Sequence, residues 1–374
     1  MKILITVAVL ALGALAYMFF SAPDAGTARN TITLSDATLV ETTNLPTPTG
    51  QNTAPPQAVA LQTTELQDAT ADPDATTIYL SETVSLPLPG SAPTANVRHT
   101  IPIEEIRRGC FRQDCIPSVD EPEFISPAEA DELLPPDTIG IALSYKSVGR
   151  FYPFPMLETH EIVNDTVAGD PLLVTYCPLC GTGIVFRREV GGEEIEFGVS
   201  GMLWQSNLLM YNRANNISDR NLWSQVLGEA VVGDRAGEEL EIIPSDIVRY
   251  QTWRANTPGG EVLTTGFARD PYGGDYFSVA RSFNPNFDET VSPLVPTAYV
   301  YGIELNGETK AYPREALPIG ITSDIVGGET VSVMKAADDT VIITDESGAI
   351  VPDVEGFWFS WIAAHPETGL WTNL

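Results

Sequence analysis

Two cysteines in the run Cys177-Pro178-Leu179-Cys180-Gly181-Thr182-Gly183 are the groups in this chain best suited to chemistry. Sulfurs at this spacing close a small disulfide, cycle as a redox dithiol, or occupy two positions on a soft metal. They are half of the four cysteines in the chain. The flanking runs Leu172-Leu173-Val174-Thr175-Tyr176 and Ile184-Val185-Phe186 are short and rich in β-branched or aromatic residues, which predicts strands. Pro178, Gly181 and Gly183 supply turn chemistry between them. The cysteines are therefore expected at the tip of a strand–turn–strand unit.

That placement weighs against a thioredoxin-like dithiol, which opens a helix whose N-terminus lowers the thiol pKa. A CPLC turn between strands is closer to a zinc knuckle, where turn N–H groups solvate the thiolates. A knuckle is half a site, so further ligands must come from elsewhere. His160 and His365 are the imidazoles considered for it, and Glu161 and Asp165 are carboxylates suited to orient His160 or to close a turn. The bland readings are a core histidine at 160 and a surface turn at His365-Pro366. His99, at the edge of the body, is expected to face solvent. Asn164 reads as an Asx-turn residue. Gln205, Ser206, Asn207 and Gln225 beside Trp204 and Trp223 suit either a pocket wall or a sheet edge.

The chain has 374 residues. Ile3–Phe20 is an apolar run that reaches the length of a membrane span, about 18 to 20 residues. No clear cleavage site follows, so residues 1–20 read as a signal anchor, with a cleaved signal as the alternative. Either way the body is expected outside the cytoplasm, on a single-pass anchor in the cell membrane or, after cleavage, periplasmic or secreted. Disulfides persist there. Residues 21–96, rich in Thr, Ala, Pro, Asp and Gln, read as a disordered tether, with a short β segment near Ile78-Tyr79-Leu80 docking on the body. The net charge of −30, with 50 acids against 20 basic residues, excludes nucleic acid as a partner and fits a solvated acidic surface. Only the membrane is implied as a partner; a protein or small-molecule partner is not specified.

The body, residues 97–374, reads as mainly β (a β-rich α+β fold) with few short helices. Strands are predicted at Glu194–Val199, Val231-Val232, Glu239–Ile243 and Val341–Thr344, and helices at Ser126–Leu134 and Phe357–His365. A duplicated β unit spans about 138–186 and 300–345. Gly140-Ile141-Ala142-Leu143, Tyr152-Pro153, Leu157, Asp165, Gly169 and Val174 recur as Gly302-Ile303-Glu304-Leu305, Tyr312-Pro313, Leu317, Asp324, Gly328 and Val333. His160 and the cysteine turn exist in the first copy only.

The runs His160-Glu161-Ile162-Val163-Asn164-Asp165, Tyr176-Cys177-Pro178-Leu179-Cys180-Gly181-Thr182 and Phe197-Gly198-Val199-Ser200-Gly201 carry a family resemblance. So do Ser206-Asn207-Leu208-Leu209-Met210-Tyr211, Leu222-Trp223-Ser224-Gln225 and Phe357-Trp358-Phe359 with His365-Pro366. Over about residues 100–370 the chain resembles the bacterial and archaeal family known as domain of unknown function 3179. That resemblance implies an exported protein and no defined activity. Gly109-Cys110-Phe111-Arg112-Gln113-Asp114-Cys115 stands where the family has a glycine-rich stretch. Cys110 and Cys115 are expected to pair as a local disulfide.

Three functions follow from these residues. The favoured one is a Zn or Cu site formed by Cys177, Cys180, His160 and His365. The second is an extracytoplasmic thiol–disulfide oxidoreductase using Cys177 and Cys180. The third is a tethered binding module whose groove is walled by Trp204, Tyr211, Trp223 and Trp253, with every cysteine in a disulfide. Whether the chain is an enzyme stays open. No HExxH, GxSxG or phosphate-binding glycine loop is present, so no nucleotide cofactor is expected.

Overall fold

The computed structural model describes residues 63–65, 79–81, 97–265 and 287–373. The anchor at 1–20 and most of the tether lie outside these residues. Among the described residues no helix is long and apolar enough to cross a membrane. Strands dominate and the helices are short, as the β-rich composition predicts.

The structure is layered around a central sheet. Its order is Gly369–Leu370, Glu308–Pro313, Tyr299–Leu305, Val354–Phe357, Thr182–Arg187, Asp170–Cys177 and Ile162–Val167, with Ile242–Ile243 also paired to Thr182–Arg187. On one face lies a second sheet that contains Phe197–Trp204, Asn207–Asn212, Leu222–Ser224 and Glu229–Val232. Between the two, Leu173, Cys177, Ile184 and Phe186 meet Phe197, Leu208, Met210 and Trp223. The opposite face is covered near the cysteines by a five-stranded sheet containing Ile139–Tyr145 and Val148–Pro153. There Leu172, Val174 and Tyr176 pack on Ile141, Leu143 and Tyr152. The Asp170–Cys177 strand is thus buried on both faces, which explains its unbroken apolar run where a half-buried strand would alternate.

The two similar segments run through the same elements in the same order. The first has paired strands Ile139–Tyr145 and Val148–Pro153, then Ile162–Val167 and Asp170–Cys177. The second has Tyr299–Leu305 and Glu308–Pro313, then Gly320–Val326 and Glu329–Lys335. The central sheet takes the second hairpin of one segment and the first hairpin of the other. The remaining hairpin of the second segment joins Val341–Thr344 in a three-stranded sheet packed through Val331, Val333 and Ile343 onto Tyr301 and Tyr312.

The Ser126 helix starts as predicted. The Ser126 hydroxyl accepts from the Glu129 N–H at 3.3 Å, and the Glu129 carboxylate accepts from the Ser126 N–H at 2.9 Å. It is shorter than expected, ending at Ala130. Beyond it the Leu133 N–H reaches back three residues to Ala130, and Pro135-Pro136 stops any continuation. The C-terminal helix runs Trp358–Ala364. Tyr79–Ser81 pairs with Val97–His99, so the segment near Tyr79 does join the body's sheet. His99 differs from expectation: it is buried, with Nδ1 2.8 Å from the Ile101 carbonyl.

Candidate functional site

Cys177 ends one central strand, and Thr182, directly opposite it in register, begins the next. The CPLC turn closes between them, with the Cys180 N–H donating to the Cys177 carbonyl at 3.1 Å. Gly181 follows at φ +61°, a left-handed conformation that glycine adopts without strain. The turn is pinned from behind by the Phe357 N–H donating to the Cys180 carbonyl at 2.9 Å. Both thiols are free and buried.

The partner of both thiols comes from the facing sheet. The hairpin Phe197–Trp204/Asn207–Asn212 turns through Gln205 and Ser206, both at positive φ (49° and 69°). Two left-handed residues in a row suit the twist of a tight hairpin, yet they are normally Asn or Gly. This strained turn aims the Ser206 carbonyl at the cysteines, which donate to it from Cys180 Sγ at 3.3 Å and Cys177 Sγ at 3.7 Å. An amide network locks the pair of sheets beneath the turn. Gln225 Oε1 accepts from Thr182 Oγ1 at 2.7 Å and Asn207 Nδ2 at 2.8 Å, while its Nε2 donates to Thr175 Oγ1 at 3.1 Å. The expected polar cluster at 205–207 and 225 therefore stands against the cysteine turn.

Glu161 is the carboxylate that reaches this site. It is buried, at φ +57°, and its carbonyl accepts from the Tyr176 N–H at 2.8 Å, one residue before Cys177. Burial, reinforced by the Cys177 sulfur, pushes its carboxyl well above the usual carboxylate range. Burial and the adjoining Cys180 likewise push the Cys177 thiol up, against the lowering effect of the Leu208 and Cys180 N–H groups. Glu161 and Cys177 line a cavity of about 160 Å³ together with Gly109, Cys110 and Leu203. Cys110 is joined to Cys115 in a disulfide, Cα–Cα 6.4 Å, on a loop whose Phe111 is 73% exposed. Sequence reasoning set these two cysteines apart from the CPLC turn, whereas Cys110 shares a cavity wall with Cys177.

The other expected residues are not gathered here. His160 turns away, its Nδ1 2.7 Å from the Pro117 carbonyl. His365 caps the last helix and stacks on Trp361, ring centroids 4.0 Å apart, where burial pushes its imidazole down to about 4. Asp165 faces Arg150 and Tyr152, each at 2.6 Å. Asn164 forms no Asx turn: it clips the two sheets together, donating to the Phe197 carbonyl at 2.8 Å and accepting from its N–H at 2.9 Å. A Zn or Cu centre built from Cys177, Cys180, His160 and His365 therefore does not fit this geometry. Among the described residues no group of three or more His, Cys, Asp or Glu side chains could hold a metal ion. The expected aromatic groove does not form either, because Trp223, Trp253 and the pair Trp204 and Tyr211 belong to three separate clusters.

Fold and site define a β-rich protein with a dithiol buried between two sheets. Residues 113–349 match the model of the family described as "Protein of unknown function (DUF3179)", and the chain belongs to that family. No curated protein and no solved structure matches it.

Proposed function

We propose that this chain is an exported, membrane-anchored thiol–disulfide oxidoreductase whose reacting dithiol is Cys177 and Cys180. The observation that carries the reading is the single small cavity on which Cys177, Glu161 and the disulfide-bonded Cys110 all open. A dithiol this deeply buried is closed to a bulky protein disulfide, so exchange needs a nearer partner. The Cys110–Cys115 loop, one side on the cavity and the other on the surface, supplies it.

Electrons and protons balance within the chain. Glu161 takes the Cys177 proton, and the thiolate attacks Cys110 Sγ, releasing Cys115, which takes up the Cys180 proton. The Cys180 thiolate then attacks the mixed disulfide at Cys177 and releases Cys110, which recovers the proton held by Glu161. The result is a Cys177–Cys180 disulfide and a reduced Cys110/Cys115 pair, ready to meet a disulfide of a partner protein at the surface. The raised thiol pKa keeps Cys177 protonated and inert until Glu161 acts as base.

The test is disulfide mapping by mass spectrometry of the full-length protein after graded reduction and reoxidation. A species with Cys177–Cys180 oxidised and Cys110/Cys115 reduced is expected, formed about 100-fold more slowly in Glu161→Gln. If Cys177 and Cys180 stay reduced whenever the protein is folded, the proposal fails.

A further inference from the structure

A second cavity, independent of the dithiol, lies between the Ile139–Tyr145 and Ser245–Arg249 strands, the Tyr250–Asn256 helix and the Val341–Thr344 strand. Its volume is about 250 Å³. Two buried polar atoms of its lining residues have no hydrogen-bond partner among the described residues: the donor Nε1 of Trp253 and the acceptor Oδ2 of Asp353. Trp253 is only 4% exposed, its indole held by Phe151 at 5.3 Å. Unpaired buried donors and acceptors are costly, and a matched pair on one cavity is the pattern a ligand resolves.

The charge on the walls selects the ligand. Asp246 and Asp353 both line the cavity, and among the described residues none that lines it is Lys, Arg or His. Glu355 stands behind them, with Arg314 3.4 Å away as its counter-ion. Burial, with Asp338 adding to it, pushes the Asp246 carboxyl up to about 6, and burial together with repulsion from Glu355 and Asp246 raises that of Asp353. An anion entering here would add to that repulsion, and a neutral alcohol would leave it unrelieved. A cation removes it. A metal ion is the poorer choice, since no three ligating side chains converge among the described residues. We propose that this cavity binds a small protonated amine carrying a hydroxyl or carbonyl oxygen, the ammonium on Asp353 and Asp246 and the oxygen accepting from Trp253 Nε1.

Ethanolamine, ethylammonium and glycerol serve as probes in calorimetric and ligand-observed NMR titrations of the full-length protein. Saturable one-to-one binding of ethanolamine is expected, weaker for ethylammonium and absent for glycerol. Asp246→Asn and Asp353→Asn should each weaken ethanolamine by about tenfold or more, and Trp253→Phe should erase its advantage over ethylammonium. A readout independent of folding variants is the wild-type pH profile. Ethanolamine stays protonated, so its affinity should fall as pH drops through about 6, where Asp246 takes up a proton beside Asp338, Asp353 and Glu355. Absence of saturable ethanolamine binding, meaning that water alone fills the cavity, overturns the proposal. So does equal binding of glycerol, or affinity indifferent to both Asp→Asn changes.

Discussion

The same polar link occurs in both similar segments at very different burial, so one substitution made twice measures what burial does to it. In the first segment Asp165 accepts from Arg150 Nη1 and from the Tyr152 hydroxyl, each at 2.6 Å, and from the Thr166 N–H at 2.7 Å. In the second, Asp324 accepts from the Tyr312 hydroxyl at 3.2 Å and the Ile325 N–H at 2.9 Å, with Lys310 at 3.4 Å. The Asp165 side chain is 3% exposed and that of Arg150 14%, against 22% for Asp324 and 19% for Lys310. Asp165→Asn leaves a largely buried guanidinium without its main counter-ion, a loss of about 3–5 kcal/mol. Glu261 at 3.0 Å and the Phe124 ring at 4.0 Å remain to hold Arg150, so the lower end is expected. Asp324→Asn breaks a longer, wetter pair and should cost about 1 kcal/mol or less. Native-state hydrogen exchange resolves this locally, because a protein of this size need not unfold as one unit. Amides of residues 162–177 should lose roughly 100-fold protection in Asp165→Asn, at about 1.4 kcal/mol per tenfold, and those of 320–335 less than about tenfold in Asp324→Asn. Comparable losses in both segments would show that burial does not decide the worth of this link.

Asn164→Ala should remove the clip between the sheets and strand the Phe197 N–H and C=O in the core, costing about 2–4 kcal/mol, read as a lower urea midpoint and faster exchange at Phe197. His365 gives a pH signature. Its imidazole titrates near 4 when folded and near 6.5 when unfolded, so the unfolded chain binds more protons between those values. Above about 6.5 it contributes no pH dependence; as pH falls toward 4, about 3 kcal/mol of stability at most is lost. His365→Phe should flatten that part of the acid-unfolding curve, and an unchanged curve would refute the assignment.

The strand–turn–strand around Cys177 was legible because its signals are local: β-branched runs, a proline and two glycines within a dozen residues. The start of the Ser126 helix was legible for the same reason, as a Ser-Pro-x-Glu cap needs only its own neighbours, whereas the uncapped Phe154–Leu157 and Tyr250–Asn256 helices carry no such signal. The Ser126 helix ended early because nothing local distinguishes a second helical turn from tightened turns leading into Pro135-Pro136. His99 was misplaced because the strands that bury it, Tyr79–Ser81 and Glu229–Val232, come from either side of it in sequence. The site failed by a single residue of register. His160 drew attention as an imidazole, but pairing of Ile162 with Thr175 sets Glu161 beside the strand end that carries Cys177. Changing register by one residue exchanges what faces the core. Ser206 carried a signal that was overlooked, since two polar residues between apolar strands mark a tight hairpin whatever their side chains.

The two segments also relate the cavity at the cysteine turn to the acidic one. Matching Val174 with Val333 matches Cys177 with Ala336 and Cys180 with Asp339, so the cysteine turn and the Ala336–Asp339 turn are equivalent points on one scaffold. The first turn ends a strand enclosed by sheets on both faces, where two thiols and a carboxyl are buried together. The second ends a strand of the outer three-stranded sheet, and the Thr340 that follows it lines the acidic cavity while Asp338 adds to the repulsion on Asp246. Lys335 secures this turn through Asp339 at 3.2 Å, and the Tyr301 hydroxyl donates to the Asp339 carbonyl at 3.1 Å. A strand end is where backbone pairing stops and side chains are free to diverge, so a repeated hairpin offers two such places at no cost to the shared core. Thiol chemistry suits the enclosed end, and charge suits the end with access to water.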